Sequence, residues 1–392
     1  MAVYKLFPYK DATVYSFYPN MNTGIDPITD ISNLNIAVDT NPQVARFFTE
    51  FVQSEIEDVI NNKIRPVTTV WDVDFRAYIA TAEGILDSTD ISVHPLAQSW
   101  NNGTGAYLDI PETVDGCSWK SPLFENSGVA WSSSGTDSTN HFVTSSFNST
   151  FSPAGGGAWY HSGSDGTLYE VTQSFDTRST KDLKVNAKTV CSLWYSSSLG
   201  LDPSASLQNY GFVTKWEDSV EFNESVQVQP VMQFYSVDTN TIYPPQLEFK
   251  WQDYVTILTG SATASIVSTT NLATSLAENP GFFTPESVNR FRFNVAPKYP
   301  LRTFQTASFF TETKYLPTAS FYAVKDLDTN EYVIDYDTTY TQLSSDANGN
   351  YFDIYMNGLE PERYYKICIK TTINNSTLVL DDNYYFKVVN AL

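Results

Sequence analysis

The chain is 392 residues long, 42% hydrophobic and 15% aromatic, with 25 Tyr and 25 Phe. This is far from the aromatic-poor make-up of disordered proteins and longer than one hydrophobic core usually supports, so two domains are expected. Only 17% of residues are charged and the formal net charge is −21; with no basic run to offset it, that charge excludes non-specific binding to nucleic acid or to an anionic membrane surface.

Aromatic and β-branched residues that favour strands dominate, which predicts an all-β protein. Strand-like runs punctuated by Gly, Pro, Asn and Asp fall at 13–18, 33–38, 72–80, 91–95 and 168–175. Between them, EFVQSEIEDVINN (50–62) sets Phe51, Ile56, Val59 and Ile60 near helical spacing, with acids early, and predicts a short amphipathic helix. The stretch 102–166 is rich in Gly, Ser, Asn and Thr yet holds Trp119, Trp131 and Trp159, with Trp100 just before it. A flexible linker would lack those rings, so ordered loops folded over a sandwich are expected. Alternation returns at 182–190 and leads into Trp194, then at 210–216 and 245–251. After Trp251 a Ser/Thr/Ala-rich passage (260–277) and ENPGFFTPES mark a linker over 256–288, separating a domain at 1–255 from one at 289–392. The second domain reads as strands FRFNV, SFYAVKDLDTNEYVI, NYFDIYMNG, RYYKICIKT and YYFKVV, with hairpin signals at Asp328-Thr329-Asn330 and Asn348-Gly349-Asn350.

Cys117, Cys191 and Cys368 are too few and too widely spaced for a disulfide framework or a zinc site and are expected as buried thiols. His94, His141 and His161 sit in no metal-binding pattern. No GxSxG elbow accompanies the serines, and the neighbouring carboxylates Glu217 and Asp218, or Glu55, Glu57 and Asp58, do not by adjacency make a pair facing each other across a sugar. No enzyme, cofactor or metal is therefore expected. The alternating oxygens of Asp326, Asp328 and Asn330 lack the glycine and closing glutamate of a calcium loop and read as a turn, as does the run from Asp346 to Asn350. Neither an apolar leader nor a run of 18 apolar residues occurs, so a soluble protein without an ordinary signal peptide is expected.

Three segments share one design, a tryptophan beside small turn residues: SWNNGTG (99–105), GCSW (116–119) and AGGGAWY (154–160). Together with Asp11-Ala12-Thr13-Val14-Tyr15, Asn22-Thr23-Gly24, Arg46-Phe47-Phe48, a strand through Val185 and Val190 to Trp194, NYGF (209–212) and the P-x-L-x-x-x-W run ending at Trp251, they follow the order of the DNRLRE-type β-sandwich family, a carbohydrate-binding-module-like jelly roll that the region 1–255 resembles. The opening MAVYKLFPYKDATVYSFYPNMNTGID and the two-part layout also resemble virion structural proteins of tailed phages of the marine T4-like kind. GLEPERYYKICIK (358–370) resembles the late-strand layout of fibronectin-III or immunoglobulin-like modules, without their Cys pair or core Trp. These resemblances imply a jelly-roll-like sandwich followed by a smaller immunoglobulin-like one. They imply a non-enzymatic virion protein, in the capsid, neck or tail, that docks to other virion proteins as a homo-oligomer in a symmetric assembly and is released by lysis. The alternative expectation is a carbohydrate-binding adhesin for host surface glycans. Trp100, Trp119, Trp131 and Trp159 are then the candidate glycan-contacting residues, against a reading in which such rings plug the ends of a sandwich.

Overall fold

The computed structural model describes residues 2–34, 43–85, 88–132, 135–137, 141–144, 155–176, 178, 182–201, 206–221, 230–258, 272–299 and 314–390. The class is all-β: among the described residues strands make up 43% and helix 9%, in several antiparallel sheets that include a curled half-barrel. By contacts the chain divides into two compact units. The first is Leu6–Ile60 with Asp72–Glu248, and the second is Met1–Lys5 with Asn61–Trp71 and Phe249–Leu392. Of the stretch 256–288 that composition marks as a linker, 259–271 lie outside the described residues, and Leu272–Ala277 is a strand.

An eight-stranded antiparallel sheet dominates the first unit. Its order is Val171–Phe175, Thr89–Pro95, Phe212–Trp216, Gln43–Glu50, Ile28–Leu34, Val231–Tyr235 and Ile79–Glu83, with Lys10–Tyr15 also paired to Gln43–Glu50. Gln43–Glu50 is buried from Val44 to Glu50, so both of its faces are covered. Val231–Tyr235 alternates instead: Met232 and Phe234 enter the core, while Val231, Gln233 and Tyr235 face outward. A smaller sheet of Trp159–Ser162, Phe142–Thr144 and Gly135–Thr136 lies in the loop region.

The helix expected over 50–62 forms as Gln53–Asp58 and continues as a π-helical segment, Val59–Ile64. Ile56, Val59, Ile60 and Ile64 are its buried stripe. The expected strand through 182–190 is corrected. Only Leu183–Asn186 is strand, and Lys188–Ser198 is a helix. Val190, Cys191, Trp194 and Tyr195 are its buried residues, a spacing of three and four that suits one helical face and overrides the short alternation before it.

The second unit is a two-sheet sandwich. One sheet runs Leu272–Ala277, Val288–Pro297, Gly349–Tyr355, Ser344–Asp346; the other runs Phe282–Phe283, Tyr385–Val388, Tyr364–Ile373, Ser320–Asp326, Tyr332–Ile334, with Ser376–Leu380 paired to Tyr364–Ile373. Phe291, Phe293, Tyr322, Phe352, Ile354, Ile367 and Phe386 fill the space between them. The hydroxyl of buried Tyr365 donates to the Glu360 carbonyl at 3.0 Å, the tyrosine-corner bond that a Leu-x-Pro layout ahead of a late strand suggests.

Both oxygen-rich turns are closed by protein groups. Asp326 Oδ1 accepts the backbone N–H of Asp328 at 2.7 Å and of Thr329 at 3.0 Å, while Arg363 binds the same carboxylate at 2.6 and 2.8 Å. Asn330 takes the left-handed position at φ 63°. Asp346 likewise caps Asn348 at 2.8 Å and accepts both arms of Arg292 at 2.8 Å.

Candidate functional site

The tryptophan turns are built inward. Trp100, Trp119, Trp131 and Trp159 are 2%, 1%, 8% and 2% exposed, so none presents an open ring face on which a sugar stacks. Trp100 Nε1 donates to the Tyr210 carbonyl and Trp131 Nε1 to the Ser118 carbonyl, each at 3.0 Å. Phe48, from the centre of the large sheet, lies 5.6 Å from Trp100 and 5.3 Å from Trp131 between ring centres. The other two rings flank Arg46, whose guanidinium carbon is 4.8 Å from Trp119 and 4.9 Å from Trp159. Arg46 also donates to the Gly156 carbonyl at 2.8 Å and to Glu221 at 2.9 and 3.2 Å. Lys215 adds a second cation, 3.1 Å from Glu221, with both side chains removed from solvent.

Asn22 joins the first two turns. Its Nδ2 donates to the carbonyls of Asn102 at 2.6 Å and Cys117 at 3.0 Å, and its Oδ1 accepts Gly105 N–H at 2.8 Å. The packing leaves no room for side chains: a Cβ on Gly103, at φ 79°, would overlap Asn22 Oδ1, and one on Gly156, at φ 74°, would overlap the Trp119 ring. The small residues beside each tryptophan are therefore requirements of close packing. Burial also pushes the Cys117 thiol up to about 12, as expected of an inert core cysteine.

An open cavity of this unit lies elsewhere. A cleft of about 380 Å³ is lined by Tyr15, Phe17, Asp26, Asp30, Tyr107 and Gln233, among others. The sheet positions its floor. Asp30 and Ser32 share one face of Ile28–Leu34, and Gln233 and Val231 stand directly opposite them. The loop ring of Tyr107 closes over Tyr15 at 5.1 Å and Tyr18 at 6.1 Å, with Tyr107 44% exposed. The Tyr107 N–H is held by both Asp26 oxygens, at 3.1 and 3.0 Å. The Tyr15 hydroxyl donates to Asp30 Oδ2, and the side chain of Gln233, directly across the sheet, also hydrogen-bonds this carboxylate. Burial lifts both acids. Asp26 rises to about 6, against the pull of the Tyr107 N–H, and Asp30 rises against that of the Tyr15 hydroxyl.

An exposed aromatic plane beside carboxylate and amide groups offers a stacking surface and hydroxyl partners together. Sequence reading missed this cleft, because Tyr15, Asp30, Tyr107 and Gln233 come from four separate stretches of the chain. The signal available was the alternation of the strand 231–235, whose Val231, Gln233 and Tyr235 stand on the less buried face. The neighbouring acids singled out from sequence serve locally instead: Glu217 Oε2 accepts Ser219 N–H at 2.8 Å, and Asp218 pairs with Lys215 at 2.7 Å. No protein-family model, curated protein or solved structure matches the chain.

Proposed function

We propose that the chain is a non-enzymatic structural protein of a tailed-phage particle, docked to other virion proteins in a symmetric assembly of repeated copies. The observation that carries this reading is the inward construction of the tryptophan turns. The motifs behind the resemblance to phage virion proteins are spent on packing around Phe48, Arg46 and Asn22. They serve as the rigid frame of a scaffold and leave the outer faces for docking. An acidic coat with net charge −21 suits a surface turned to solvent and away from nucleic acid. Protein mass spectrometry of purified particles tests the proposal: a fixed copy number per particle supports it, and recovery from the lysate alone overturns it.

A second reading is favoured by the cleft. A carbohydrate-binding adhesin would hold a host glycan between Tyr107 and Asp30 and not on the tryptophans. The Asp30 carboxylate beside the half-exposed Tyr107 ring supports this, since together they offer an acceptor for a sugar hydroxyl and a face on which the sugar can stack. Asp26 has both oxygens occupied by one N–H, an arrangement suited to holding a loop and not to attacking a glycosidic bond. A glycan array with the wild type and Tyr107→Ala decides it: binding lost in the variant supports an adhesin, and silence in both removes it.

A further inference from the structure

Strand register brings together His94 and His161, which sequence reading takes singly, with Glu170. Val171 pairs with Val93, so Glu170 falls opposite His94; Leu96 bridges Trp159 in antiparallel fashion, so His161 falls beside His94 from the other segment. Residues placed opposite each other in antiparallel strands share a face. The three side chains accordingly converge. His94 Nε2 lies 3.7 Å from Glu170 Oε1 and His161 Nδ1 lies 3.8 Å from Glu170 Oε2, and one donor atom of each residue falls within 4.8 Å of the others.

A second observation sets this apart from an ordinary surface ion pair. His94 is 3% exposed, and its ring nitrogens are poorly satisfied: the Tyr160 backbone stands near the ring, but neither nitrogen makes a hydrogen bond of full geometry. An imidazole buried in that way costs stability unless something satisfies it. His161, by contrast, has a side chain 49% exposed, so the cluster opens to solvent on one side. Two imidazoles and a carboxylate form a donor set that suits zinc and its first-row neighbours, with a fourth position left for water. Bonds of about 2.0–2.2 Å would draw the three donors closer by less than about one ångström each, a shift that side-chain torsions supply. The nearby cations Lys215 and Arg46 oppose a bound cation, but Glu221 pairs with both of them.

We propose that His94, His161 and Glu170 bind one divalent transition-metal ion of the zinc class. The ion would tie the hairpin that carries His161 and Glu170 to the strand Thr89–Pro95. This proposal is independent of the phage reading, because it concerns only the first unit.

The test uses the full chain, stripped of metal with a chelator and titrated with Zn2+ alone by calorimetry, with the thermal midpoint followed in parallel. One equivalent of Zn2+ and a raised midpoint are expected. His161→Ala and Glu170→Gln, whose positions are accessible enough to leave the fold intact by circular dichroism, should each weaken binding by more than about tenfold. Co2+ in place of Zn2+ should give a visible ligand-field band that disappears in His161→Ala. Absence of binding up to millimolar Zn2+, or unchanged affinity in both variants, overturns the proposal.

Discussion

Glu221 accepts two hydrogen bonds from the Arg46 guanidinium, at 2.9 Å from Nε and 3.2 Å from Nη2, with both side chains fully withdrawn from water. Lys215 bonds to the same carboxylate. Glu221 thus bridges two cations at the point where the tryptophan turns meet the large sheet, with Asp218 as the second partner of Lys215. Removing Glu221 would leave the Arg46 guanidinium buried without its carboxylate, while Lys215 would keep only Asp218, at 2.7 Å. Glu221→Gln should therefore cost about 3–5 kcal/mol, read as a lowered midpoint in urea. Arg46→Lys should not be tolerated either, since an ammonium cannot make the fork to Glu221, reach Gly156 and lie flat between two indoles. A change under about 0.5 kcal/mol in both variants would contradict this account of the core.

Asp11 gives the protein a pH dependence with a definite sign. It is buried, and desolvation pushes its carboxyl up to about 8, although the Val237 N–H bonds to it at 2.7 Å. The unfolded chain releases this proton near the ordinary value of about 3.9, so between there and 8 the folded state holds a proton that the unfolded state has lost. The contribution is complete below the unfolded value and disappears as pH rises through 8. Stability should fall by up to about 1.4 kcal/mol per pH unit across pH 5–7 relative to Asp11→Asn, which keeps an acceptor for Val237. Urea titrations of both proteins at pH 5 and pH 7 check this; parallel behaviour would show that Asp11 is ionised in the fold.

Seven of the eight tryptophans are buried, Trp71 being the partly open one. Iodide should therefore quench only a minor share of the native fluorescence, and all of it after unfolding. Trp159→Ala should cost about 3–5 kcal/mol, in line with loss of a large core ring. Strong quenching of the native state would place the turns at the surface.

Tyr107→Ala separates binding from folding. The ring is half exposed, and the bonds from its N–H to Asp26 survive the substitution. The stability change should stay within about 1 kcal/mol. Any glycan affinity carried by the cleft should fall at least about tenfold, as expected for a stacking residue worth 1.4 kcal/mol or more.

The parts of the fold that depend on local pattern were legible in the sequence. Gly349 and Asn330 marked hairpins because left-handed backbone needs such residues, and Ile56, Val59 and Ile60 marked a helix by spacing. Lys188–Ser198 was misread because its helical stripe begins where the alternation of Leu183–Asn186 ends. The tryptophan turns were legible as motifs but not as buried ones, since burial depends on Phe48 and Arg46 from a distant strand. The Tyr107 cleft and the cluster of His94, His161 and Glu170 were illegible for the same reason. Each is assembled by register between strands, and register is set by the whole sheet and not by any one segment.

The most direct test of the central claim is quantitative mass spectrometry of density-purified phage particles, with the major capsid protein as the internal count. A structural virion role predicts this chain at a constant, symmetry-compatible number of copies per particle that resists washing in high salt. Its absence from intact particles while it is abundant in the infected-cell lysate would contradict that role.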